Sequence, residues 1–314
     1  MPAKNAGASP AASIADRELV FTRIFDAPRE LVFDAWTNPQ HLAQWWGPQG
    51  FTTTIHEMDV RPGGLWRLTM HGPDGRAYRN RIVMLEVVKP GRLVFRHEPD
   101  DESEPVTHHA TVTFTNHAGK TLLTLRMLFT SPAARAHVLK TYRAFEGGHQ
   151  TLGRLIGHLQ TATGKPTSVG APLFISRVLN APRNLVFEMW SKPEHLARWW
   201  GPKDFTLPQC NMDFRAGGNF RFVMRGPDGR DYPFHGSYVE IAAPERIVFR
   251  GVIHDEPGHE VFTTITLLEE EPGKTQLVVQ QAYVFESDAS RGAHEGWSET
   301  LDRLESELAG LHSL

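Results

Sequence analysis

The fold is decided by three motifs in the first half of the chain: Trp45-Trp46-Gly47-Pro48, Met58-Asp59-x-Arg61-x-Gly63-Gly64 and Gly72-Pro73-Asp74-Gly75-Arg76. All three recur 154 residues later, as Trp199-Trp200-Gly201-Pro202, Met212-Asp213-x-Arg215-x-Gly217-Gly218 and Gly226-Pro227-Asp228-Gly229-Arg230. Between Ala27–Arg96 and Ala181–Arg250, 36 of 70 positions are identical without a gap. A match of this length indicates that the chain is a tandem duplication.

Outside the repeated motifs, the composition of the chain suggests where each copy begins and ends. Residues 1–16 are small and polar, without the apolar segment of a signal peptide, and predict a flexible tail and a cytoplasmic address. Residues 163–172 are rich in Gly, Pro and Ser, as linkers are. We therefore predict a first domain at 17–162 and a second at 173–314.

Each copy predicts the same order of secondary structure. Leu19–Phe25 has the apolar composition of a strand, and two short helices separated by Pro39 lead into the Trp-Trp motif. About six strands follow, joined by tight Gly- and Pro-containing turns, as in an antiparallel sheet. The copy closes with an amphipathic helix, marked by leucines such as Leu152 and Leu155. The predicted fold class is α+β, with a long C-terminal helix against a curved antiparallel sheet.

Composition excludes several classes of protein. The 314 residues include 33 basic and 36 acidic side chains, so the formal net charge is only −3. This balance does not favour nucleic-acid binding, and no apolar run is long enough for membrane insertion. A single cysteine, Cys210, cannot form an internal disulfide and has His56 as its counterpart in the first copy.

The sequence contains no motif that would predict a catalytic residue, a cofactor or a metal. Neither a nucleophile elbow nor a dinucleotide-binding glycine motif is present, and Gly119-Lys120-Thr121 lacks the first glycine of a phosphate-binding loop. The 16 histidines include no metalloprotease motif. His108 and His109 are neighbours on a predicted strand, so they point to opposite faces. We accordingly predict no catalytic residue, no cofactor and no metal.

Polar positions that recur in both copies leave acid–base chemistry open as an alternative. These positions are Arg67 and Arg221, Tyr78 and Tyr232, and Glu86 and Glu240. Positioned His, Glu or Tyr side chains are sufficient for such catalysis. The favoured interpretation of these residues is a solvated sheet face or pairing at strand ends.

The motifs together resemble those of the START-like superfamily, also called Bet v 1-like or helix-grip. The subgroup that they suggest is related to the C-terminal domain of the activator of Hsp90 ATPase. The resemblance rests on the Ala-Pro helix start, Trp-Trp-Gly-Pro, Arg-x-Gly-Gly, Gly-Pro-Asp-Gly and the Gly296-Trp297 pair before the last helix. It extends over nearly all of both copies. The first copy departs from the pattern, because Gly147-Gly148 stands where the second has Gly-Trp.

The resemblance implies a cavity between the final helix and the sheet of each domain, suited to apolar or amphipathic small molecules. The residues expected to line these cavities are Trp45, Trp46, Phe51, Trp66, Leu68, Met70, Leu152, Leu155, Trp199, Trp200, Phe205, Phe220, Phe222, Met224, Trp297, Leu301 and Leu304. The differences between Gly148 and Trp297, and between Arg81 and His235, indicate that the two copies have diverged around the pocket or the sheet. Either the copies bind different ligands, or one of them is purely structural.

Three functions are compatible with these observations. We predict noncovalent binding of apolar small molecules for sequestration, transport or a stress-type role, by a chain that is monomeric. One alternative, based on the subgroup resemblance alone, is a co-chaperone-like protein whose partner is an Hsp90-type ATPase. A second is a cyclase or hydrolase that uses polar residues of the cavity.

Overall fold

The computed structural model describes residues 14, 17–98, 108–117, 119–164, 173–271, 273–284 and 288–311. Domain 1 here denotes the described residues up to 164, and domain 2 those from 173. Most of the predicted N-terminal tail and of the predicted linker lies outside the described residues. The domain boundaries at 17–162 and 173–314 therefore stay predictions.

Domain 1 is a seven-stranded antiparallel sheet with four helices. Its elements are β1 (Glu18–Phe25), α1 (Arg29–Thr37), α2 (Pro39–Trp45), β2 (Thr52–Met58), β3 (Leu65–His71), β4 (Ala77–Val88), β5 (Arg92–Glu98), β6 (His108–His117), β7 (Lys120–Phe129), α3 (Pro132–Tyr142) and α4 (Ala144–Thr163). The strand order across the sheet is β1-β7-β6-β5-β4-β3-β2, so every neighbour except the β1–β7 pair is also consecutive in the chain.

Domain 2 repeats this architecture with three described helices. Its elements are β8 (Leu173–Leu179), α5 (Arg183–Ser191), α6 (Pro193–Trp199), β9 (Thr206–Met212), β10 (Asn219–Arg225), β11 (Asp231–Ala242), β12 (Arg246–Ile253), β13 (Glu260–Glu271), β14 (Lys274–Tyr283) and α7 (Asp288–Leu311). Its strand order, β8-β14-β13-β12-β11-β10-β9, is that of domain 1. The prediction of two tandem α+β helix-grip domains is confirmed.

The apolar alternation of each strand places one face of the sheet against the final helix. On β3, Trp66 and Leu68 are buried while Arg67 between them is exposed. On α4, Leu152, Leu155 and Leu159 are buried, one turn apart, and meet this inner face of the sheet. The helix and the sheet therefore share a single apolar core in each domain.

Two equivalent arginines fasten the final helices to the Trp-Trp-Gly-Pro motifs. Arg154 of α4 donates to the carbonyl oxygen of Gly47 at 3.0 Å, and Arg303 of α7 donates to that of Gly201 at 3.1 Å. In both domains the motif accepts the hydrogen bond through a backbone carbonyl oxygen, and any residue type can provide such an acceptor. Arg154 and Arg303 are 149 positions apart, five fewer than the 154 that separate the two Trp-Trp motifs, so the second copy is five residues shorter between its motif and this arginine.

Helix α3 is a feature that the sequence pattern does not predict. It is capped by Ser131, whose side chain accepts from the Ala134 amide at 3.0 Å, and it ends at Arg143, which has a left-handed backbone with φ of 46°. Its apolar positions do not form a clear stripe, so periodicity alone could not reveal it.

The two domains contact each other through the faces of their sheets that point away from the final helices, and also through Phe174 of domain 2, which packs against Phe145 of α4. Ile24 of β1 packs with Phe262 and Ala282 of domain 2, and Gln280 donates to the carbonyl oxygen of Val20 at 2.8 Å. None of the helices in the described segments is long and apolar enough to cross a membrane.

Four charged side chains form an ion-pair cluster at this contact, called the interdomain charge cluster below. They are Glu18 and Arg126 of domain 1 and Glu240 and Arg246 of domain 2. Arg246 binds both carboxylates, at 2.6 Å from Glu240, and Arg126 lies 3.2 Å from Glu18. Burial alone would raise the pKa of Glu240, but the two guanidinium groups outweigh it and hold that pKa below its ordinary value.

Candidate functional site

Domain 2 contains a small cavity between the inner face of its sheet and its short helices. The cavity is lined by Trp190, Leu196, Trp200, Phe214, Phe220, Phe222, Tyr238, Ile247 and Phe249. Its volume is about 10 Å³, room for roughly one water molecule. Seven of the nine lining side chains are aromatic, so the wall is suited to flat apolar groups.

The strand pattern explains why these aromatic side chains converge. Phe220 and Phe222 alternate with exposed residues on β10, and their rings stack with centroids 4.9 Å apart. Tyr238 of β11 pairs in register with Phe249 of β12, which places both on the same inner face. The short helix α5 then covers this face with Trp190.

Two of the lining tryptophans have indole N–H groups without a hydrogen-bond partner among the described residues. Trp190 and Trp200 meet nearly at right angles, with ring centroids 5.9 Å apart, and both indole nitrogens are buried. Trp199, by contrast, donates to the carbonyl oxygen of Met189 at 3.0 Å. A buried donor left unpaired costs about 1–3 kcal/mol, so a ligand that supplied an acceptor would recover this energy.

Phe214 is the lining residue of this cavity that is not fully buried. It lies in the loop between β9 and β10, is only half-buried, and packs on Tyr238 and Phe187 with centroid distances of 5.0 and 5.8 Å. Because it belongs to a loop and not to the sheet, its side chain can move without breaking a strand pairing. Its counterpart in domain 1 is Val60.

Of the predicted cavity residues, three line this cavity: Trp200, Phe220 and Phe222. Trp297 lies beside it, stacked on Trp190 with a centroid distance of 6.4 Å. The leucines of the two final helices, and Trp66 and Leu68 of domain 1, are buried core residues. Trp45 and Trp199 are fully buried, and each donates to a backbone carbonyl of the preceding helix.

The other five predicted residues do not line this cavity. Phe51 and Phe205 pack on Tyr78 and Tyr232 near the Gly-Pro-Asp-Gly turns, with centroid distances of 5.7 and 5.5 Å. Trp46 packs edge-on against Trp36, and Met70 and Met224 are half-buried on their strands. The role of all these residues in ligand binding stays a prediction.

Six lining residues were not among the predicted ones. They are Trp190, Leu196, Phe214, Tyr238, Ile247 and Phe249. Trp190 carries a detectable signal, because it recurs as Trp36 at the end of the first short helix. Phe214 carries none, since a loop residue follows neither the strand nor the helix period.

The equivalent positions in domain 1 are less aromatic. The counterparts of the nine lining residues are Trp36, Leu42, Trp46, Val60, Trp66, Leu68, Met84, Leu93 and Phe95. Only four of these are aromatic, against seven in domain 2. The two domains therefore differ in the aromatic content of this wall.

Domain 1 instead carries a polar cluster at one end of its inner sheet face. His97 donates from Nε2 to Asn80 Oδ1 at 2.8 Å, and its ring stacks on that of His108 with centroids 4.9 Å apart. Burial, followed by the nearby His97 and His109, holds the pKa of His108 well below its ordinary value, so this ring is neutral at pH 7. The described residues contain no group of three or more potential metal ligands.

The recurring polar positions do not meet in one place. Tyr78 and Tyr232 lie near the aspartates of their own turns, Arg221 pairs with Asp255 at 2.8 Å, and Glu86 lies 3.3 Å from Arg92. Glu240 belongs to the interdomain charge cluster. The structure therefore does not assemble these recurring residues into an acid–base site.

Cys210 is expected to react slowly with alkylating reagents. Burial, with a smaller contribution from Glu194, raises the pKa of its thiol to about 11. At pH 8 this leaves about a hundredfold less thiolate than an ordinary cysteine, because each pKa unit changes the fraction tenfold. The rate of iodoacetamide labelling of the folded chain, compared with the chain in urea, measures this; equal rates would contradict it.

A family model described as "Activator of Hsp90 ATPase homolog 1-like protein" matches residues 26–160 and again residues 180–309. The two matches correspond to the two domains and cover most of the chain. A search of curated proteins finds no match.

Among solved structures, similar chains come from several bacteria. A protein from Arthrobacter aurescens is 24% identical, with a TM-score of 0.45, over 48% of this chain and 90% of its own. The AHSA1 protein from Silicibacter pomeroyi is 26% identical, with a TM-score of 0.40, over 44% of this chain and 98% of its own. A protein from Rhizobium leguminosarum is 29% identical, with a TM-score of 0.39, over 46% of this chain and 97% of its own.

Proposed function

We propose that this chain, which belongs to the Activator of Hsp90 ATPase homolog 1-like family through both of its domains, binds an apolar small molecule noncovalently in domain 2. The observation that carries the proposal is the aromatic cavity, in which two buried indole N–H groups have no partner among the described residues. An aromatic wall with unpaired donors suits a ligand with an apolar body and a single acceptor oxygen.

The ligand enters by displacing Phe214. A cavity of about 10 Å³ holds no more than a water molecule, so a larger guest needs one wall to move. Phe214 is the half-buried loop residue of the lining, whereas Phe220 and Phe222 are fixed by the strand pairings of β10. Binding therefore exchanges the contacts of one phenyl ring for those of the ligand.

The ligand chemistry follows from Trp190 and Trp200. Their rings offer apolar contact to a flat molecule, and their N–H groups offer donors to a carbonyl or ether oxygen. An apolar molecule without an acceptor would leave these donors unpaired and bind more weakly.

Replacement of Trp200 by Phe tests this assignment, because it removes the N–H donor and keeps an aromatic ring. The probe is 2-acetylnaphthalene, whose binding to the full chain is measured by calorimetry. We expect Trp200→Phe to weaken binding about 2- to 10-fold, which is the value of one net hydrogen bond. The matched variant Trp46→Phe, at the equivalent position of domain 1, should leave the affinity unchanged.

Absence of binding, or an equal effect of both variants, would overturn the proposal. Native mass spectrometry of the gently purified chain, repeated after denaturation, then searches for the natural ligand as a mass that is lost on unfolding. Partnership with an Hsp90-type ATPase, the monomeric state and the cytoplasmic address stay predictions. A pull-down and an ATPase assay with the host chaperone test the first of these.

A further inference from the structure

Arg23 of β1 is a buried guanidinium without a carboxylate partner among the described residues. It is 4% exposed, donates to the Thr22 carbonyl oxygen at 3.3 Å and to His149 Nδ1, and its Nε has no partner in the described part of the chain. Its pKa is lowered to about 10 by burial, without an opposing acidic neighbour. The group is therefore still charged at neutral pH, and the described part of the chain places no carboxylate beside it as a counterion.

The second copy shows how the same arginine is satisfied when a carboxylate is available. Arg177, the counterpart of Arg23, binds Ser298 Oγ and lies 3.5 Å from Asp302 Oδ1. In domain 1 these two partners are replaced by His149 and Gly153. An added Cβ at Gly153 would meet nothing within 4 Å, so there is room beside the helix where Asp302 stands in the other copy.

The surroundings of Arg23 are aromatic rather than acidic. The His149 ring that contacts it packs against Phe21, Phe145 and Phe174, with centroid distances of 5.4, 5.7 and 4.6 Å. Phe174 belongs to domain 2, so the site lies where α4 meets β8. Burial, followed by the charge of Arg23, lowers the pKa of His149 to about 3, which leaves the ring neutral, so that Arg23 carries the positive charge of this pair.

His149 also provides the route to Arg23. Its side chain is only half-buried, and it belongs to helix α4 and not to a strand. Rotation of one imidazole ring therefore uncovers the guanidinium without displacing a strand.

We propose that Arg23 is the anion-binding residue of a second ligand site, which takes the carboxylate of an amphipathic acid while the phenyl rings around His149 contact its apolar part. A bidentate guanidinium–carboxylate pair supplies the counterion that Asp302 supplies in the other copy. The site is separate from the cavity of domain 2. Its ligand carries a negative charge, whereas the ligand proposed for that cavity is uncharged.

Calorimetry of the full chain with octanoate, and with octanol as the uncharged control, tests the proposal. We expect octanoate to bind at least tenfold more tightly than octanol. Gly153→Asp should weaken octanoate binding at least tenfold, because it supplies an internal carboxylate. Gly157→Asp adds the same charge one turn further along the exposed face of α4, where an added side chain also meets nothing, and should change affinity less than twofold.

Equal binding of the two probes, no binding of either, or unaltered octanoate binding by Gly153→Asp would each overturn the assignment. Both variants replace exposed glycines of a helix, so folding should be preserved. Trp200→Phe, which tests the cavity of domain 2, should leave octanoate binding intact, so the two proposals can fail independently.

Discussion

Replacing Arg246 by Met is expected to lower the free energy of unfolding by about 3–5 kcal/mol, the usual cost of removing one partner from a buried ion pair. Arg246 is 5% exposed and binds Glu18 of the other domain as well as Glu240. The variant leaves two carboxylates at the domain contact with only Arg126 to neutralise them. Methionine keeps most of the side-chain volume, so the loss of unfolding free energy comes from the missing charge and not from a new cavity.

The chain contains a matched control for this experiment. Arg92 is the counterpart of Arg246 and pairs with Glu86, the counterpart of Glu240, but both side chains are more than 40% exposed. An exposed pair contributes about 0–1 kcal/mol, so Arg92→Met should have little effect. Guanidinium chloride unfolding of both variants measures the difference. Equal losses would show that the interdomain charge cluster contributes no more to stability than the exposed pair does.

Replacing Gly148 by Ala is expected to destabilise domain 1 by about 1–3 kcal/mol through overpacking. A Cβ at this position would lie 2.5 Å from two ring carbons of Phe21, which is buried and cannot move aside freely. At the equivalent positions of domain 2 the sizes are exchanged, since Ile175 stands for Phe21 and Trp297 for Gly148. In domain 1 the large side chain of this pair of positions is on the first strand, and in domain 2 it is on the final helix.

A double-mutant cycle measures this reciprocity. Phe21→Ile alone leaves a void and should also destabilise, by about 1–3 kcal/mol. The double variant should lose less than the sum of the two single changes, by about 1 kcal/mol or more, because the new methyl group occupies part of the space. Strict additivity in urea unfolding would show that the two positions do not share one packing site.

The sequence was sufficient to predict the fold because the signals for it are local and occur twice. The Gly-Gly and Gly-Pro-Asp-Gly motifs mark turns, and alternation on strands such as Leu65–His71 marks the buried face. Helix α3 could not be predicted in this way, because its burial is weak and it occurs in the C-terminal half that the copies do not share in length.

The candidate site was predictable only in part. Phe220 and Phe222 could be recognised from alternation on one strand, and Trp200 from its repeated motif. Phe214 and Tyr238 line the same cavity from a loop and from another strand, and no sequence period connects them. The interdomain charge cluster was likewise hidden, because Glu18 and Arg246 are 228 positions apart. Contacts of this kind depend on how the two sheets pack against each other, and the periodicity of a sequence gives no information about that packing.

The exchanged sizes at Phe21 and Gly148, and at Ile175 and Trp297, also restrict how this chain can evolve. Two copies of one unit, alike at 36 of 70 positions, can recombine with each other within the gene. A crossover that moved the final helix but not the first strand would place Trp beside Phe in one product and Gly beside Ile in the other. The first hybrid would be overfilled and the second would contain a void. Selection against both hybrids would keep the sequences of the two copies different from each other.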